Sequence, residues 1–491
     1  MALHPLTVAE RTGFRETSRH ADVLRFIDEL QARSCRFRVE SMGTTPGGRA
    51  MPVLVSGERR PERPVVLVLA NIHAGEVEGK EAVLALARDL PDRVLEGLTL
   101  LLVPNYNPDG NDLIDPKNRA LDLAKLEGQI GPEGGVGTRY TGTGINLNRD
   151  YIKQEAMESR HLSRLYGAWR PHLTVDCHTT DGSIHDFALT YDTSHIPTPP
   201  CEWIRTVFLP ETSRRLRART SLKTFFYGNF VDEKDPGKGW RTYSHLPRYG
   251  SHYRGLTGRM DILLESYSYI PFRERFVVTV EILKDIFDLA LERSADILRL
   301  CRDAEAWRPD PVGVAYGEPA SLGDAEIHAW DLESQVARRI PGREPKIWRV
   351  PHLAAFAPTA LVRRPWAWRV PADQRSAVAS LRLHHIHLDE VTGVSEVEAE
   401  VYRIETISGV ESPDCGSHTR HEAVLAVRGP DNTRVRLEKG DVLVRSDQPL
   451  GTLAAYLLEP ASDDGLARWG LVEGLRPGGA YPIARIPRPI P

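Results

Sequence analysis

Apolar residues along this chain fall into short unbroken runs separated by stretches whose apolar positions recur at helical spacing. Pro64-Val65-Val66-Leu67-Val68-Leu69-Ala70, Leu98-Thr99-Leu100-Leu101-Leu102-Val103, Leu173-Thr174-Val175 and Met260-Asp261-Ile262-Leu263-Leu264 have strand length. Near-continuous apolarity at that length marks strands covered on both faces. Residues 18–33 place Val23, Leu24, Phe26, Ile27 and Leu30 on a helical stripe, and the stretch Arg36–Glu40 that follows alternates like a strand. Residues 77–90, 155–169 and 276–302 also read as helices. Strands alternating with helices predict an α/β fold with a mixed, largely parallel sheet flanked by helices.

The rhythm breaks between Gly128 and Gly144, a stretch with seven glycines and no strand or helix period. It does not directly follow a strand and contains no Gly-Lys-Ser/Thr, so a nucleotide loop is set aside in favour of a surface loop leading toward a site. Beyond Trp307 the texture becomes short alternating segments with Pro- and Gly-rich connections. Residues 396–407, 423–427, 434–437 and 442–445 read as strands, and Gly429-Pro430-Asp431-Asn432 as a turn. This predicts a catalytic domain over 1–307 and a mostly β accessory domain over 308–491. His384-His385-Ile386-His387 alternates as on a strand face, and His418-Thr419-Arg420-His421 is read likewise. Neither has a carboxylate or cysteine at metal-binding spacing.

Composition changes this picture only by exclusion. The chain has 491 residues, 41% hydrophobic and 26% charged, with a formal net charge of −4, which offers no electrostatic reason for nucleic acid. No apolar run approaches the roughly 18 residues that span a bilayer, and the first residues lack a secretory pattern, so no membrane partner and a cytoplasmic location are expected. Five scattered cysteines without Cys-x-x-Cys spacing predict free thiols. The expected partner is a peptide or a small carboxylate-bearing amide, and homo-oligomerisation is left open.

The candidate chemistry lies at the carboxyl ends of the apolar runs, where ligands bind in α/β sheets. His73 and Glu76 follow the first run, His178 follows Val175-Asp176-Cys177, and Glu265 follows Leu264. Two imidazoles and a carboxylate form a three-ligand set suited to one catalytic Zn²⁺ per chain, with a position left open for water or substrate. Glu265 remains as a spare carboxylate, suited to general-base work on that water.

Ser41-Met42-Gly43-Thr44-Thr45-Pro46-Gly47-Gly48-Arg49-Ala50, His73-x-x-Glu76, Asn107-Pro108-Asp109-Gly110, Asn148-Arg149, His178 and Glu265 occur in the order seen in M14 zinc carboxypeptidases, the carboxypeptidase A family. The chain resembles that family over roughly residues 15 to 300, and with its C-terminal extension resembles a divergent bacterial-type member. The resemblance implies an α/β carboxypeptidase-like fold, zinc on His73, Glu76 and His178, and Glu265 as general base. It also implies that Asn148 and Arg149 grip a substrate carboxylate, as a guanidinium fork does well. Where the family has an oxyanion arginine, three residues past an Asn-Arg pair, Asn118-Arg119 is followed by Asp122. That charge therefore falls to Arg119 or Arg139, taken as a catalytic donor at Arg119 and a substrate-binding group at Arg139.

Tyr243, Tyr249 and Tyr253 are candidates for the tyrosine that closes over substrate, and Tyr253 is preferred. Asn146 stands where the family commonly has the aspartate that orients a zinc-bound histidine. The expected activity is hydrolysis of a C-terminal peptide or peptide-like amide bond next to a free carboxylate. Two alternatives are an N-acyl-amino-acid deacylase resembling aspartoacylase or succinylglutamate desuccinylase, and an inactive zinc-site binding protein.

Overall fold

Eight strands form one central sheet in the computed structural model, which describes residues 4–330, 344–416 and 421–490. In spatial order they are Arg38–Thr44, Ala50–Ser56, Thr99–Val103, Val65–Ala70, Leu173–Thr180, Met260–Tyr267, Leu189–Asp192 and Thr224–Phe226. The four middle strands, from Thr99–Val103 to Met260–Tyr267, run parallel to one another, with antiparallel pairings on either side. The sheet is thus mixed with a parallel centre, as the apolar runs predict.

Why those runs are unbroken is visible in where alternate side chains go. Val65, Leu67 and Leu69 enter one core while Val66, Val68 and Ala70 of the same strand enter another. Both faces are covered, so no position calls for a polar residue. The helices His20–Gln31, Glu78–Asp89 and Phe272–Glu292 contribute Val23, Phe26, Leu84, Ile282 and Ile286 to the second of these cores. Each such side chain stabilises the fold by about 1.5–3 kcal/mol through leaving water. The other core joins Leu162 and Leu165 of the helix Met157–Trp169 to Trp368, Leu453 and Tyr456 from beyond residue 307.

The helical pattern of 276–302 is divided in the structure. Phe272–Glu292 and Ser294–Ala306 are separate helices meeting at Arg293, whose backbone leaves helical geometry at φ −104° and ψ 21°.

The C-terminal region is β-rich, with a six-stranded sheet, two helices (Arg375–Leu383 and Gly451–Leu458) and a strand pair of Val312–Tyr316 with Pro358–Val362. A four-stranded sheet joins Ala320–Ala329 and Lys346–Ala355 to Trp240–Arg241 and Asn229–Phe230, so its strands come from both sides of residue 307. Two expectations fail here. Gly429-Pro430-Asp431-Asn432 is no turn but an irregularity within one long strand, His421–Leu437, paired with Ser395–Glu411 and shifted in register between Val401 and Arg403. His384-His385-Ile386-His387 is no strand. His384 caps the helix Arg375–Leu383, and its buried ring makes a 3.0 Å contact with the Ile152 carbonyl oxygen through Nε2.

Of His418-Thr419-Arg420-His421, the first three lie outside the described residues and His421 begins that long strand. The described cysteines are all free. Among the described residues no helix is long and apolar enough to cross a membrane.

Candidate functional site

Three of the central strands deliver the candidate groups to one end of the sheet. Glu265 and His178 are register partners on adjacent parallel strands. His73 and Glu76 sit in the turn between Val65–Ala70 and the helix Glu78–Asp89. The turn begins at Asn71, which takes the left-handed conformation (φ 66°) that asparagine tolerates best among side-chain-bearing residues. Its amide donates to Asn105 Oδ1 at 2.8 Å and Asn111 Oδ1 at 3.1 Å, so the strain is held by buried partners. The helix then crosses directly over the His178 strand. A Cβ at Gly79 would lie 2.5 Å from Cys177 Cβ, so a larger residue would push Glu76 away from His178.

One ligand atom each of His73, Glu76 and His178 lies within 4.8 Å of the others, and all three residues are buried. Glu76 Oε1 is 3.0 Å from His73 Nδ1, and Oε2 is 3.0 Å from His178 Nδ1. On the far side of each ring another oxygen waits. Asn146 Oδ1 is 3.1 Å from His73 Nε2, and Asp176 Oδ1 is 3.3 Å from His178 Nε2. An oxygen behind each ring, with Glu76 facing both Nδ1 atoms, is the arrangement that orients metal-ligating histidines. Two nitrogens and a carboxylate oxygen converging in a buried site fit a zinc ion.

The charges are unusual for side chains so enclosed. Burial, helped by the Arg139 guanidinium, lowers the His73 imidazole to about 4. Burial would raise Glu76, but His73 and His178 outweigh it and hold its carboxyl well below the ordinary range. For His178 burial would lower the ring, yet Asp176 and Glu76 dominate and raise it. Glu265 opens onto the same pocket, and burial together with the neighbouring Glu76 charge pushes it up to about 8, against the pull of His178, Arg119 and Arg139. Its carboxylate is not absorbed by the nearby arginines of its own segment. Arg254 pairs with Asp176 at 2.9 Å and also with Asp261, and Arg259 pairs with Glu305 at 2.5 Å.

Arg119 and Arg139 both reach the pocket. Arg119 Nη1 donates to Glu76 Oε1 at 3.2 Å, while its other donors engage Gln129 Oε1 at 2.8 Å and the Thr179 carbonyl at 3.0 Å. Arg139 Nη1 stands 3.3 Å from His73 Nδ1. Arg139 is positioned by the glycine-rich segment, which departs from the expected surface loop. Thr138 O accepts from Ala74 N at 3.1 Å and Thr138 N donates to Gly110 O at 3.0 Å, and a Cβ at Gly137 would lie 2.5 Å from Gly110 O. The glycines let this backbone pack against the strand ends. Nearby, Asp109 accepts from Thr45 Oγ1 at 2.9 Å, Gly47 N at 2.9 Å and Arg49 Nη1 at 2.8 Å, tying the Thr45–Arg49 turn to the Asn107-Pro108-Asp109-Gly110 segment.

Asn148 and Arg149 line the same pocket. Asn148 Oδ1 accepts from Gly250 N at 3.0 Å, and the Arg149 guanidinium lies over the Tyr249 ring, 3.9 Å from its centroid. Tyr253 is the misplaced expectation. Its hydroxyl contacts His384 Nδ1 at 2.8 Å and it lines a different cavity: Tyr253 lies inside the helix Gly250–Leu256, whereas Tyr249 caps it with extended backbone (φ −84°, ψ 140°) and points elsewhere. Tyr227, Tyr243 and Tyr249 face the candidate site instead. Sequence reasoning also missed Asp414, which pairs with Arg149. Its position more than 260 residues further along the chain left no local signal.

With the geometry in place, the chain can be set beside known proteins. The family model of zinc carboxypeptidase matches residues 23–175, a stretch that includes His73 and Glu76. "Carboxypeptidase 2" of Trichophyton tonsurans is 22% identical over 458 residues, covering 86% of this chain and 76% of the relative. "Carboxypeptidase 2" of Trichophyton equinum is 27% identical over 464 residues, with the same coverage of 86% and 76%. Among solved structures, a metallo-carboxypeptidase from Burkholderia cenocepacia aligns with a TM-score of 0.41 at 16% identity, over 56% of this chain and 69% of that one.

Proposed function

We propose that this divergent relative of the M14 zinc carboxypeptidases, a metallocarboxypeptidase, carries one zinc ion on His73, Glu76 and His178 and hydrolyses an amide bond next to a substrate carboxylate. The observation that carries the reading is the convergence of two imidazoles and a buried carboxylate, with a second carboxylate, Glu265, on the neighbouring strand. Zinc bound there would polarise the scissile carbonyl and acidify a water molecule.

The chain's own residues supply the rest. Glu265, the carboxylate on the strand beside His178, takes a proton from the attacking water and passes it to the leaving nitrogen. Arg149 and Asn148 hold the substrate carboxylate, which orients the scissile bond over Glu265. Arg119, already anchored by Gln129 and Thr179, offers positive charge where the carbonyl oxygen gathers negative charge, and Arg139 lies at the substrate side of the pocket. Asn146 and Asp176 act through the histidines by fixing their ring orientation.

The test is zinc content together with a product profile from a mixed panel of peptides and N-acyl amino acids, with and without chelator. About one zinc per chain, release of a carboxylate-bearing fragment, and loss of both in His178→Ala are the expected results. Zinc-free protein that hydrolyses the panel equally well in chelator would overturn the proposal.

A further inference from the structure

Two 17-residue strands, Ser395–Glu411 and His421–Leu437, make a hairpin about 55 Å long at the usual strand rise. Its base lies in the C-terminal sheet and its far end abuts the candidate metal pocket. Several contacts hold that end in place. Cys415 O accepts from Asn146 N at 3.2 Å, and Asn146 Nδ2 donates to Asp414 O at 2.9 Å. Gly416, at φ 98°, bridges to Ile145 so closely that a Cβ would lie 2.1 Å from Gly144 O. On the other side Arg248, next to Tyr249, donates to Glu422 Oε1 at 2.7 Å and to Ser412 Oγ at 3.3 Å.

The result is that the Asp414 side chain stands among the arginines that face substrate. One carboxylate oxygen pairs with Arg149 Nη2, and the other is 3.6 Å from Arg139 Nε. Half of the Asp414 side chain remains exposed, directly beside Arg139 and Arg149, which line the pocket. At this contact two guanidiniums meet one carboxylate, an excess of one positive charge among the three groups.

We infer that Asp414 is a specificity-determining residue, which restricts the site to substrates presenting a single carboxylate at this end: a terminal residue with a neutral or basic side chain and not an acidic one. The inference rests on the reading that Arg149 receives the substrate carboxylate. Arg149 takes one substrate carboxylate, whereas a second, from a terminal aspartate or glutamate, is brought toward the Asp414 charge. Like charges brought together at a half-exposed site repel by enough to matter for selectivity.

The test compares kcat/KM for matched substrates ending in glutamine and in glutamate, using the full-length wild type, Asp414→Asn and Asp414→Ser. The wild type should favour the glutamine ending, and both substitutions should reduce that preference about tenfold, as expected for removing one nearby charge. Calorimetric affinities of the same proteins for free glutamine and glutamate supply an arm that needs no turnover. If substrates are cleaved and neither ratio moves in either variant, the inference falls and the hydrolase reading stands. If wild type cleaves nothing while the affinity ratio shifts as expected, the hydrolase reading falls and the role of Asp414 stands.

Discussion

The pocket above His73, Glu76 and His178 has a volume of about 240 Å³, and a neighbouring cavity lined by Tyr106, Tyr151, Tyr166, Tyr253, His384 and Leu450 has about 260 Å³. Their sizes are close, yet their walls are opposite in kind. In the tyrosine cavity several polar groups pair with one another. Tyr253 and Gln154 both contact His384 Nδ1, at 2.8 and 3.0 Å, and Tyr166 meets Thr174 at 2.7 Å. In the metal-candidate pocket, carboxylates, imidazoles and guanidiniums converge and shift one another, and the pull of burial and of Glu76 raises Glu265 above an ordinary carboxyl. Satisfied polar groups stabilise a fold, whereas convergent and mutually shifted ones are what chemistry needs. Volume alone would not have told these two apart.

The largest expected effect separates them directly. Glu265→Gln should lower kcat about 1000-fold, within the range for loss of a general base, while zinc content stays unchanged. Tyr253→Phe, in the other cavity, should alter kcat by no more than about twofold, since its hydroxyl contacts only His384. Steady-state kinetics with metal analysis on both proteins checks the contrast, and zinc lost from Glu265→Gln would count against the role given to it.

A second test works on the tyrosine cavity through acid. Burial, outweighing the hydrogen bond to Ile152, lowers His384 to about 4, so the unfolded chain binds the proton more readily between 6.5 and about 4. The stability from keeping this ring neutral is fully present above 6.5 and is lost as pH falls toward about 4. Between pH 7 and about 4.5 the loss from this one ring should be about 2.5 kcal/mol. Denaturant unfolding at the two pH values should show a smaller drop in His384→Gln than in the wild type. An equal drop would mean that the ring does not titrate as its burial implies.

The smallest effect concerns Tyr249. Its ring underlies the Arg149 guanidinium at 3.9 Å, so Tyr249→Leu should loosen the carboxylate grip and raise KM about fivefold, the scale of a partly exposed cation–π contact. Tyr253→Leu should leave KM unchanged. If both variants behave alike, the assignment of the two tyrosines to different cavities loses its functional meaning.

Much of the candidate site is legible in the chain because it depends on local regularities. A buried parallel strand needs an unbroken apolar run, and polar residues within a few positions after the run emerge at the sheet end. His73, His178 and Glu265 obey that rule, and the structure brings them to one pocket. Tyr253 does not, since three tyrosines within eleven residues are equivalent until the backbone path, which leaves Tyr249 at an extended cap and Tyr253 inside the helix, assigns each a side. The histidines at 384–387 mislead for a related reason. Alternation over four residues matches a strand but also fits a helix end, and packing of His384 against Ile152 decides between them.

Residue chemistry and hydrophobic period were therefore sufficient for the α/β sheet, for the ends of its strands, and for His73, Glu76 and His178 as a candidate metal-binding set. They were sufficient because each depends on neighbours within one strand or turn. Tertiary structure alone decided that Tyr249 and not Tyr253 lies under Arg149, that the glycine-rich segment packs down to place Arg139, and that Asp414 reaches Arg149 from the end of a distant hairpin. Those contacts join segments as much as 265 residues apart, as 414 minus 149. Over such separations the backbone path, not the local pattern, determines which side chains share the low-dielectric space where charges act on one another.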